Sequence, residues 1–541
     1  MTKPSRLLAL PLGLTLLSAN PAFAADPAPA ETRALQARAD VWWDDISVMA
    51  SDKMEGRLTG SAGYNRAADF VISRFHAEGL LPGGDAGSYK QNVAFDTQVI
   101  NELASTAALT GADGRAHPVA VGPAMLISSY GAPRPASVDA PLVFIGYGLH
   151  LPARGHDDFA GLDLKGKIAV VISGGPADLP GPMKAAARSA RASALAKAGA
   201  VGLISLTTPK QVEIPWARQQ LLATQTGMFL ADPALRELPD GFFVASYDPE
   251  KSLELFAGSG HTYGDLVALA DASKPMPTFD LPLHLKATVA ATHGHVTSPN
   301  LIARLPGSDP ALRQQYVLLS AHLDHLGIGE PIAGDRIYNG AMDDASGVAS
   351  VLDIAHHLHR GPRPKRSILF VIVAGEEKGL LGSSYFARRP TVAKSAIVAD
   401  LNFDMPLPLW PLKTVIAGGE AESTLGAVAR QAAADQGLAL TPDPLPNRNS
   451  FTRTDQFSFV RAGIPALAFK FGFTLNSPQF QIEHDWRANR YHAPSDDINQ
   501  PGVLKVEAIK LDNFVAKIAT LVANEPVAPT WLATSVFKPA S

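Results

Sequence analysis

The stretch Ser367-Ile-Leu-Phe-Val-Ile-Val-Ala374 is an apolar run that leads directly into Gly375-Glu376-Glu377-Lys378-Gly379. A run of this length and composition is typical of a strand buried on both faces of a parallel sheet. Two adjacent glutamates at the end of such a strand are costly to bury unless a cation neutralises them. Because neighbouring residues point in different directions, one glutamate could bind a metal ion while the other faces a reacting molecule. The alternative is an ordinary polar turn, since flanking glycines are common in turns.

Two further strand-like runs end in side chains of the metal-binding type. The run that starts at Tyr316 ends at His322, with Asp324 two residues later, and the run that starts at Ala396 ends at Asp404. Open α/β sheets gather their sites at the carboxyl ends of the strands, so we expect these strand ends to meet. Asp324 could accept the second ring N–H of His322 and fix its tautomer. Taken alone, this motif is better explained by an ordinary histidine at a strand end beside a solvated Asp.

A predicted helix start and a loop supply the remaining groups. Asp343 and Asp344 stand at the helix start, and His492 lies in the proline-bearing loop 491–497. One acidic residue at a helix start is explained by capping and by the helix dipole. Two adjacent carboxylates repel each other unless a cation lies between them, so the pair favours a metal. The predicted metal ligands are therefore His322, Asp343, Glu377, Asp404 and His492.

The composition of this ligand set indicates which metal it would hold. Three carboxylates and two imidazoles suit zinc, manganese or cobalt, and zinc is the usual occupant of such sites. A single zinc with five protein ligands would keep no open position for catalysis, so the set predicts two ions joined by a bridging carboxylate. His325 is a further residue of the ligand type. Since five groups already fill two open sites, we assign His325 to the loop or to a supporting position.

These motifs together resemble those of the co-catalytic dizinc exopeptidase family, which includes bacterial leucyl-type aminopeptidases and glutamate carboxypeptidases. The resemblance covers most of the chain after its first segment, and it implies a phosphorylase/hydrolase-like α/β fold with two zinc ions per chain. It also implies a cis peptide between Asp343 and Asp344. The roles that it implies are a bridging Asp343, one zinc on His322 and Asp404, the other zinc on Glu377 and His492, a general base at Glu376, and an Asp324 that orients His322.

The order of strand and helix patterns predicts a mostly parallel, doubly wound catalytic sheet. The middle of the chain has short strand candidates at 140–148, 166–172 and 199–205 and an Ala-rich helix candidate at 184–198. It contains no cluster of metal-ligand residues, and it resembles the β-rich protease-associated domain. We expect this domain to shape or cover the substrate cleft. The predicted organisation is a signal peptide over 1–24, catalytic domain over 25–119, inserted protease-associated domain over 120–285 and catalytic domain over 286–541.

The first 24 residues have the three parts of a secretory signal. Lys3 and Arg6 precede an apolar stretch over 7–17, and Ala22-Phe23-Ala24 forms a cleavage site. We expect an exported protein, periplasmic or secreted. No later stretch approaches the ~20 apolar residues of a membrane-spanning helix, so no membrane anchor is expected in the mature chain. A net charge of −4 gives no basic field for nucleic acid.

The family resemblance implies a zinc-dependent exopeptidase that acts on peptides, and we favour an aminopeptidase. A glutamate-carboxypeptidase-like enzyme is the alternative, because Arg448, Arg453, Arg487 and Arg490 could receive a terminal carboxylate. A single-zinc cyclase or a non-catalytic binding protein on the same scaffold would be expected to lack part of the ligand set. A serine hydrolase is disfavoured, because the chain has no G-x-S-x-G motif. The sequence leaves the oligomeric state open.

Overall fold

The computed structural model of the protein describes residues 29–448 and 450–539. The predicted signal peptide, residues 1–24, lies outside the described residues. The helices of the described chain are α1 Pro29–Met49, α2 Ala62–Ala77, α3 Gly181–Lys197, α4 Trp216–Ala223, α5 Tyr263–Asp271, α6 Ser346–Arg360, α7 Leu381–Arg388, α8 Leu425–Asp435, α9 Gln456–Arg461, α10 Pro478–Asn489 and α11 Lys505–Asn524. Its strands are β1 Leu81–Pro82, β2 Lys90–Ile100, β3 Thr106–Gly111, β4 Ala116–Val119, β5 Met125–Ile127, β6 Ser137–Phe144, β7 His150–Leu151, β8 His156–Asp157, β9 Ile168–Ile172, β10 Gly202–Leu206, β11 Gly227–Leu230, β12 Phe243–Tyr247, β13 Phe279–Thr288, β14 Ala291–Leu305, β15 Tyr316–His322, β16 Gly327–Ile332, β17 Asp335–Tyr338, β18 Ser367–Val373, β19 Ile397–Phe403, β20 Thr414–Gly418, β21 Ala439–Leu440 and β22 Ala466–Phe471.

The larger sheet has the strand order β11-β2-β14-β18-β15-β19-β22-β20-β21, with β1 paired to β14. Its four central strands, β18, β15, β19 and β22, are parallel to one another. Every residue of β15, β18 and β19 is buried, as the unbroken apolar runs require. The predicted α/β class with a parallel sheet is thus confirmed at the centre, while β2, β14 and β20 pair in antiparallel fashion at the flanks.

Helices cover both faces of this sheet, which makes it doubly wound. On one face α1, α6 and α11 pack against one another, and α6 and α11 also pack against β15. Their apolar side chains form the largest core cluster, which includes Trp42, Val351 and Phe514. On the other face α7 and α9 pack through Phe386 and Phe459, whose rings make an edge contact at 6.2 Å. The two layers fix the carboxyl ends of the central strands, where the site lies.

The smaller sheet has eight strands in the order β4-β3-β13-β6-β9-β10-β12-β5. All of them lie between Thr106 and Thr288, and they enclose a separate apolar core. Strand β11 is an exception within this interval, because it pairs with β2 in the larger sheet. The assignment of residues 120–285 to a protease-associated domain stays a prediction.

Within 29–448 and 450–539, no helix combines enough length with enough apolar character to span a membrane.

Candidate metal centre

The five predicted ligands meet at the carboxyl edge of the parallel strands. His322 is the last residue of β15, where it is in register with Val373 at the end of β18. Glu377 follows four residues after β18 ends, and Asp404 comes directly after β19. Since adjacent parallel strands end together, three distant segments of the chain deliver their side chains to one point. His492 reaches the same point from the loop that follows α10.

The carboxylate of Asp343 lies between two imidazoles. Its Oδ1 atom is 3.3 Å from Nε2 of His322, and its Oδ2 atom is 3.3 Å from Nε2 of His492. Each oxygen therefore faces a different histidine. A carboxylate in this arrangement can bind two cations at once, one through each oxygen.

The other ligands divide between these two sides. Asp404 Oδ2 is 3.9 Å from Nε2 of His322, on the Oδ1 side of Asp343. Glu377 Oε2 is 3.1 Å from Nε2 of His492, on the Oδ2 side. The structure thus brings together all five predicted residues, in the two groups that the sequence resemblance implied. The expected cis peptide between Asp343 and Asp344 is also present.

The donor set fits divalent metal ions. The Nε2 atom of His322 and the Oε1 atom of Glu377 are buried, and their near polar neighbours are other groups of the ligand type, Oδ1 of Asp343 at 3.3 Å and Nδ1 of His325 at 2.6 Å. Burial of so many ionisable groups together is costly, and coordination of a cation would offset that cost. Three carboxylates and two imidazoles are also the nitrogen and oxygen ligands that zinc accepts.

The charges in the site perturb one another strongly. Burial raises the pKa of Asp343, but hydrogen bonds from His322 and His492 outweigh this and hold its pKa well below the ordinary value. Burial lowers the pKa of His492, yet Glu377 and Asp343 overcome it and raise that pKa to about 9. In the metal-free protein, protons on the imidazoles therefore take the place that cations would fill.

Glu376 lies beside the same cluster. Its Oε2 atom is 3.9 Å from Nε2 of His322, and the ligand atoms that Glu376, His322 and Asp404 offer all lie within 4.8 Å of one another. Burial, with the nearby carboxylates of Asp404 and Glu377, raises the pKa of Glu376 well above its ordinary value, against the influence of His322. A carboxyl group in this position is able to accept and return a proton.

Asp324 contacts His322 in a different way from the one predicted. The backbone carbonyl oxygen of Asp324 lies 3.0 Å from Nδ1 of His322, whereas its carboxylate oxygen Oδ1 is 4.0 Å from that atom. The carboxylate instead accepts the backbone N–H of Glu376 at 3.1 Å. Asp324 thus contacts His322 through its main chain and Glu376 through its side chain.

His325 lies inside the centre, although we assigned it to the loop or to a supporting position. Its Nδ1 atom is 2.6 Å from Oε1 of Glu377 and 3.9 Å from Oδ2 of Asp343, and the residue is fully buried. These three residues form a second group with mutually close ligand atoms. The sequence feature that could have indicated this is the position of His325, three residues after His322 at the end of the same strand.

Two buried residues that received no role from the sequence hold the ligand loops in place. Arg57 donates hydrogen bonds to the carbonyl oxygens of Met49, Leu323, Asn339 and Gly340, at 2.6 to 2.8 Å. It thereby ties the N-terminal segment to the loops that carry His322 and Asp343.

Asp496 acts on the second of these loops from the other side. Its carboxylate accepts the backbone N–H groups of Met342 at 3.0 Å and Asp343 at 3.1 Å. The Asp496 side chain is fully buried. It therefore fixes the main chain at the residue whose two oxygens face the two imidazoles.

A family model described as Peptidase family M28 matches residues 300–511. Residues 300–511 are a peptidase family M28 domain. All five predicted ligands, Glu376 and Asp324 lie within the M28 domain.

Curated relatives match about a fifth of this chain. A probable zinc metalloprotease of Pyrenophora tritici-repentis (strain Pt-1C-BFP) is 37% identical over 110 residues, which are 20% of this chain and 24% of the relative. Leupeptin-inactivating enzyme 1 of Streptomyces exfoliatus is 35% identical over 116 residues, 21% of this chain and 24% of the relative. The matched segment thus spans about a quarter of each of these relatives.

A solved structure extends the likeness over nearly the whole chain. The aminopeptidase from Aneurinibacillus sp. strain AM-1 superposes with a TM-score of 0.51 and 18% sequence identity, covering 93% of this chain and 96% of that one. At this identity the likeness shows a shared fold.

The pocket at the candidate metal centre is lined by acidic, imidazole and cationic groups. Four of its lining residues belong to the candidate site, namely Asp343, Glu376, Asp404 and His492. Its lining also includes Arg448, Arg453, Lys470, Arg487 and Tyr491, and Glu213, which lies outside the M28 domain. Three of the four arginines considered from the sequence therefore lie at the pocket. Arg490 is the exception, because it does not line the pocket and its guanidinium donates to the carbonyl of Ser495.

Proposed function

We propose that this protein is a zinc-dependent exopeptidase with two zinc ions per chain, and that it releases N-terminal residues from peptides. The observation that carries the proposal is the Asp343 carboxylate, whose two oxygens each lie 3.3 Å from a different imidazole. The M28 domain and the zinc metalloprotease name of a relative support the same chemistry.

In this proposal His322 and Asp404 would hold one ion, Glu377 and His492 would hold the other, and Asp343 would contribute one oxygen to each. The two groups of close contacts support this division. His325 holds Glu377 in place through its 2.6 Å contact. When bound, zinc polarises the carbonyl of the scissile peptide and lowers the pKa of the attacking water.

Glu376 serves as the general base. It takes a proton from the attacking water and delivers that proton to the departing amine. Burial favours the neutral carboxyl, whereas nearby dications favour the carboxylate, and this opposition keeps both protonation states accessible. The N–H···O contact from its backbone to Asp324 fixes the start of the turn that carries it.

A second candidate, a carboxypeptidase of the same family, has a specific observation in its favour. The guanidinium groups of Arg448, Arg453 and Arg487 line the pocket, and guanidinium groups bind carboxylates in bidentate fashion. A single-zinc cyclase or a binding protein has less support, because both groups of ligands are complete.

The predicted signal peptide over residues 1–24 bears on where the protein acts. We propose export to the periplasm or the medium, with cleavage after Ala24, on the strength of the three-part pattern in residues 1–24. N-terminal sequencing of the exported protein should begin at Ala25. A mature protein that begins at Met1 inside the cell would contradict export.

The function itself is tested by removing and restoring the metal. The purified full chain would be treated with a chelator, dialysed, and assayed with and without zinc on peptides that carry free or blocked termini. We expect activity to disappear with the metal, to return with zinc, and to require a free N-terminus. Undiminished hydrolysis by the metal-free protein would overturn the proposal, and a requirement for a free C-terminus would favour the carboxypeptidase.

A further inference from the structure

The pocket at the candidate metal centre is small. Its volume is about 40 Å³, although Asp343, Glu376, Asp404 and His492 all line it. A cavity of about 10–15 Å³ holds one water, whereas pockets for small organic ligands typically offer about 300–1,000 Å³. A neighbouring cavity of about 270 Å³ is lined by no residue of the predicted ligand set. A peptide therefore needs part of the pocket lining to move before it can reach the site.

The ligand residues in this lining are held by the core of the larger sheet. Asp404 directly follows β19, every residue of which is buried, and the backbone of Asp343 is held by Asp496. Glu213 differs, because it lies in the segment 209–224, between β10 of the smaller sheet and β11 of the larger one. This segment is therefore the part of the lining that can move without displacing the ligands.

The segment 209–224 is loosely attached along its length. None of its residues, all of which the structure describes, is buried, and helix α4 within it buries no side chain. Ile214 is half-buried against the largest core cluster. Thr208 and Gln225, which flank the segment, are both buried, so its two ends are anchored. A segment with few buried apolar contacts opens at a lower free energy than the core does.

Polar contacts hold the segment against the M28 domain. Glu213 accepts a hydrogen bond from Arg453 at 3.0 Å and lies 3.8 Å from a guanidinium nitrogen of Arg487. Arg218 donates to the backbone carbonyl oxygens of Ala488 at 2.9 Å and Arg487 at 3.3 Å, at the C-terminal end of α10. Water can replace such contacts when the segment moves away, so breaking them costs little net free energy.

Glu213 makes its ion pairs at the pocket itself. Burial raises the pKa of Glu213, but Arg453, Arg487 and Arg448 outweigh it and hold that pKa below its ordinary value. Glu213 is therefore ionised at neutral pH, and its ion pairs weaken as salt is added. Arg487 is also bonded to Glu483, at 2.5 Å within α10, so its position does not depend on Glu213.

We infer that residues 209–224 form a lid over the metal pocket, and that the ion pairs of Glu213 with Arg453 and Arg487 hold this lid closed. A peptide enters when the ion pairs break and the segment moves away between its buried ends. The lid then closes over the bound peptide and excludes water from the site. This inference rests on the proposed exopeptidase activity, because it concerns access to the same site.

A fixed fastening between the two sheets is the alternative role for the segment. In that case the ion pairs of Glu213 would only stabilise the fold, and the peptide would enter through another part of the lining. The two roles differ when the segment is held shut by a covalent link. A fixed fastening loses nothing by such a link, whereas a lid can no longer admit the peptide.

The first test links the segment to the M28 domain. The chain has no cysteine, so two introduced thiols react alone. The zinc-loaded double variant Glu213→Cys with Arg453→Cys would be joined by a short bis-methanethiosulfonate reagent, whose disulfide links a phosphine reductant cleaves. Peptide hydrolysis would be measured before linking, after linking and after cleavage. We expect kcat/KM to fall by about tenfold or more on linking and to return on cleavage, with the zinc content unchanged.

The matched control places the same link elsewhere on the surface. Asp435→Cys with Lys517→Cys replaces an ion pair of similar length, 3.1 Å, between α8 and α11. Linking this pair should leave kcat/KM unchanged, since neither residue lines the metal pocket.

The second test measures the motion without any substrate. In Glu213→Gln, hydrogen exchange of the backbone amides in 209–224 should be about threefold faster or more than in the unaltered chain, because the lid opens more often. Exchange in β15 and β18 should stay the same. Asp435→Asn, which removes the surface ion pair with Lys517, should leave the exchange of the segment unchanged.

The outcomes separate this inference from the proposed function. Unchanged kcat/KM after linking Glu213→Cys to Arg453→Cys would overturn the lid. Unchanged exchange in Glu213→Gln would overturn the role of its ion pairs. A zinc-loaded chain without substitution that hydrolyses no peptide would overturn the proposed function, and the exchange experiment would still decide whether Glu213 holds the segment closed.

Discussion

The carboxylate of Asp496 accepts the backbone N–H of Asp343 at 3.1 Å, so a loop residue from the C-terminal part of the chain sets the position of the carboxylate between the two imidazoles. Asp496 is fully buried, and Gln500 donates a further hydrogen bond to it at 2.8 Å. The geometry of the site therefore depends on Asp496, a residue that is not one of the predicted metal ligands.

Asp496→Ala should weaken zinc binding without removing a ligand. It leaves the N–H groups of Met342 and Asp343 buried without their acceptor. Loss of such support typically lowers metal affinity by about 10- to 100-fold. Competition with a calibrated chelator measures the change. Asp497→Ala is the control, since the side chain of Asp497 accepts hydrogen bonds from Asn499 within its own turn. Equal zinc affinity in the two variants would contradict this role.

Glu376→Gln should abolish most turnover and keep the metal. Removal of a general base typically costs about 10²- to 10⁴-fold in rate, and glutamine preserves the shape of the side chain. The measurements are kcat on a peptide substrate and zinc content by elemental analysis. Glu377→Gln provides the contrast, because Glu377 contacts His492 and His325 and its loss should lower zinc content. A zinc-replete Glu376→Gln variant with normal kcat would exclude the proposed base.

Arg57→Met should destabilise the fold. Arg57 is fully buried and supplies hydrogen bonds to four carbonyl oxygens. Each carbonyl left without a donor costs roughly 1–3 kcal/mol, so the free energy of unfolding should fall by about 3 kcal/mol or more. Arg66→Met is the control, because Arg66 is half-exposed and its ion pair with Glu55 lies at the surface. Denaturant unfolding of both variants checks the difference, and equal midpoints would refute it.

Zinc binding should release protons at neutral pH. The carboxylates raise the pKa of His492 to about 9, and that of His322 well above its ordinary value, so both imidazoles are protonated near pH 7 in the metal-free protein. Zinc ligation requires neutral imidazole, so about one proton leaves each histidine. The apparent affinity should therefore rise with pH through about 9, where the imidazole of His492 loses its proton. Titration calorimetry in buffers of different ionisation enthalpy counts the protons, and a count of zero would contradict the charge assignment.

The parts of the fold that the sequence predicted well are those with an unbroken apolar pattern. The run over 367–374 became β18, and the run ending at His322 became β15, because burial on both faces demands continuous apolar residues. The antiparallel strands at the flanks of the larger sheet have no unbroken apolar pattern that would have predicted their pairing. In β14 the first residues are mostly exposed and polar, so their pairing with β2 depends on contacts that local sequence does not encode.

The same reasoning explains which site residues were predicted. Ligands at strand ends were visible because each one terminates an apolar run. Arg57 and Asp496 act through backbone groups of residues 266 and 154 positions away, such as Leu323 and Met342, and nothing in their local sequence marks those partners. His325 was assigned elsewhere because counting ligands against two ions left no place for it.

Anomalous diffraction at the zinc edge, on crystals of the zinc-loaded full chain, tests the central claim most directly. The account predicts two zinc peaks about 3.5–4 Å apart, as in known two-metal hydrolytic sites. One oxygen of Asp343 should coordinate each peak, with His322 on one ion and His492 on the other. A single peak, or two peaks that share no Asp343 carboxylate, would contradict it.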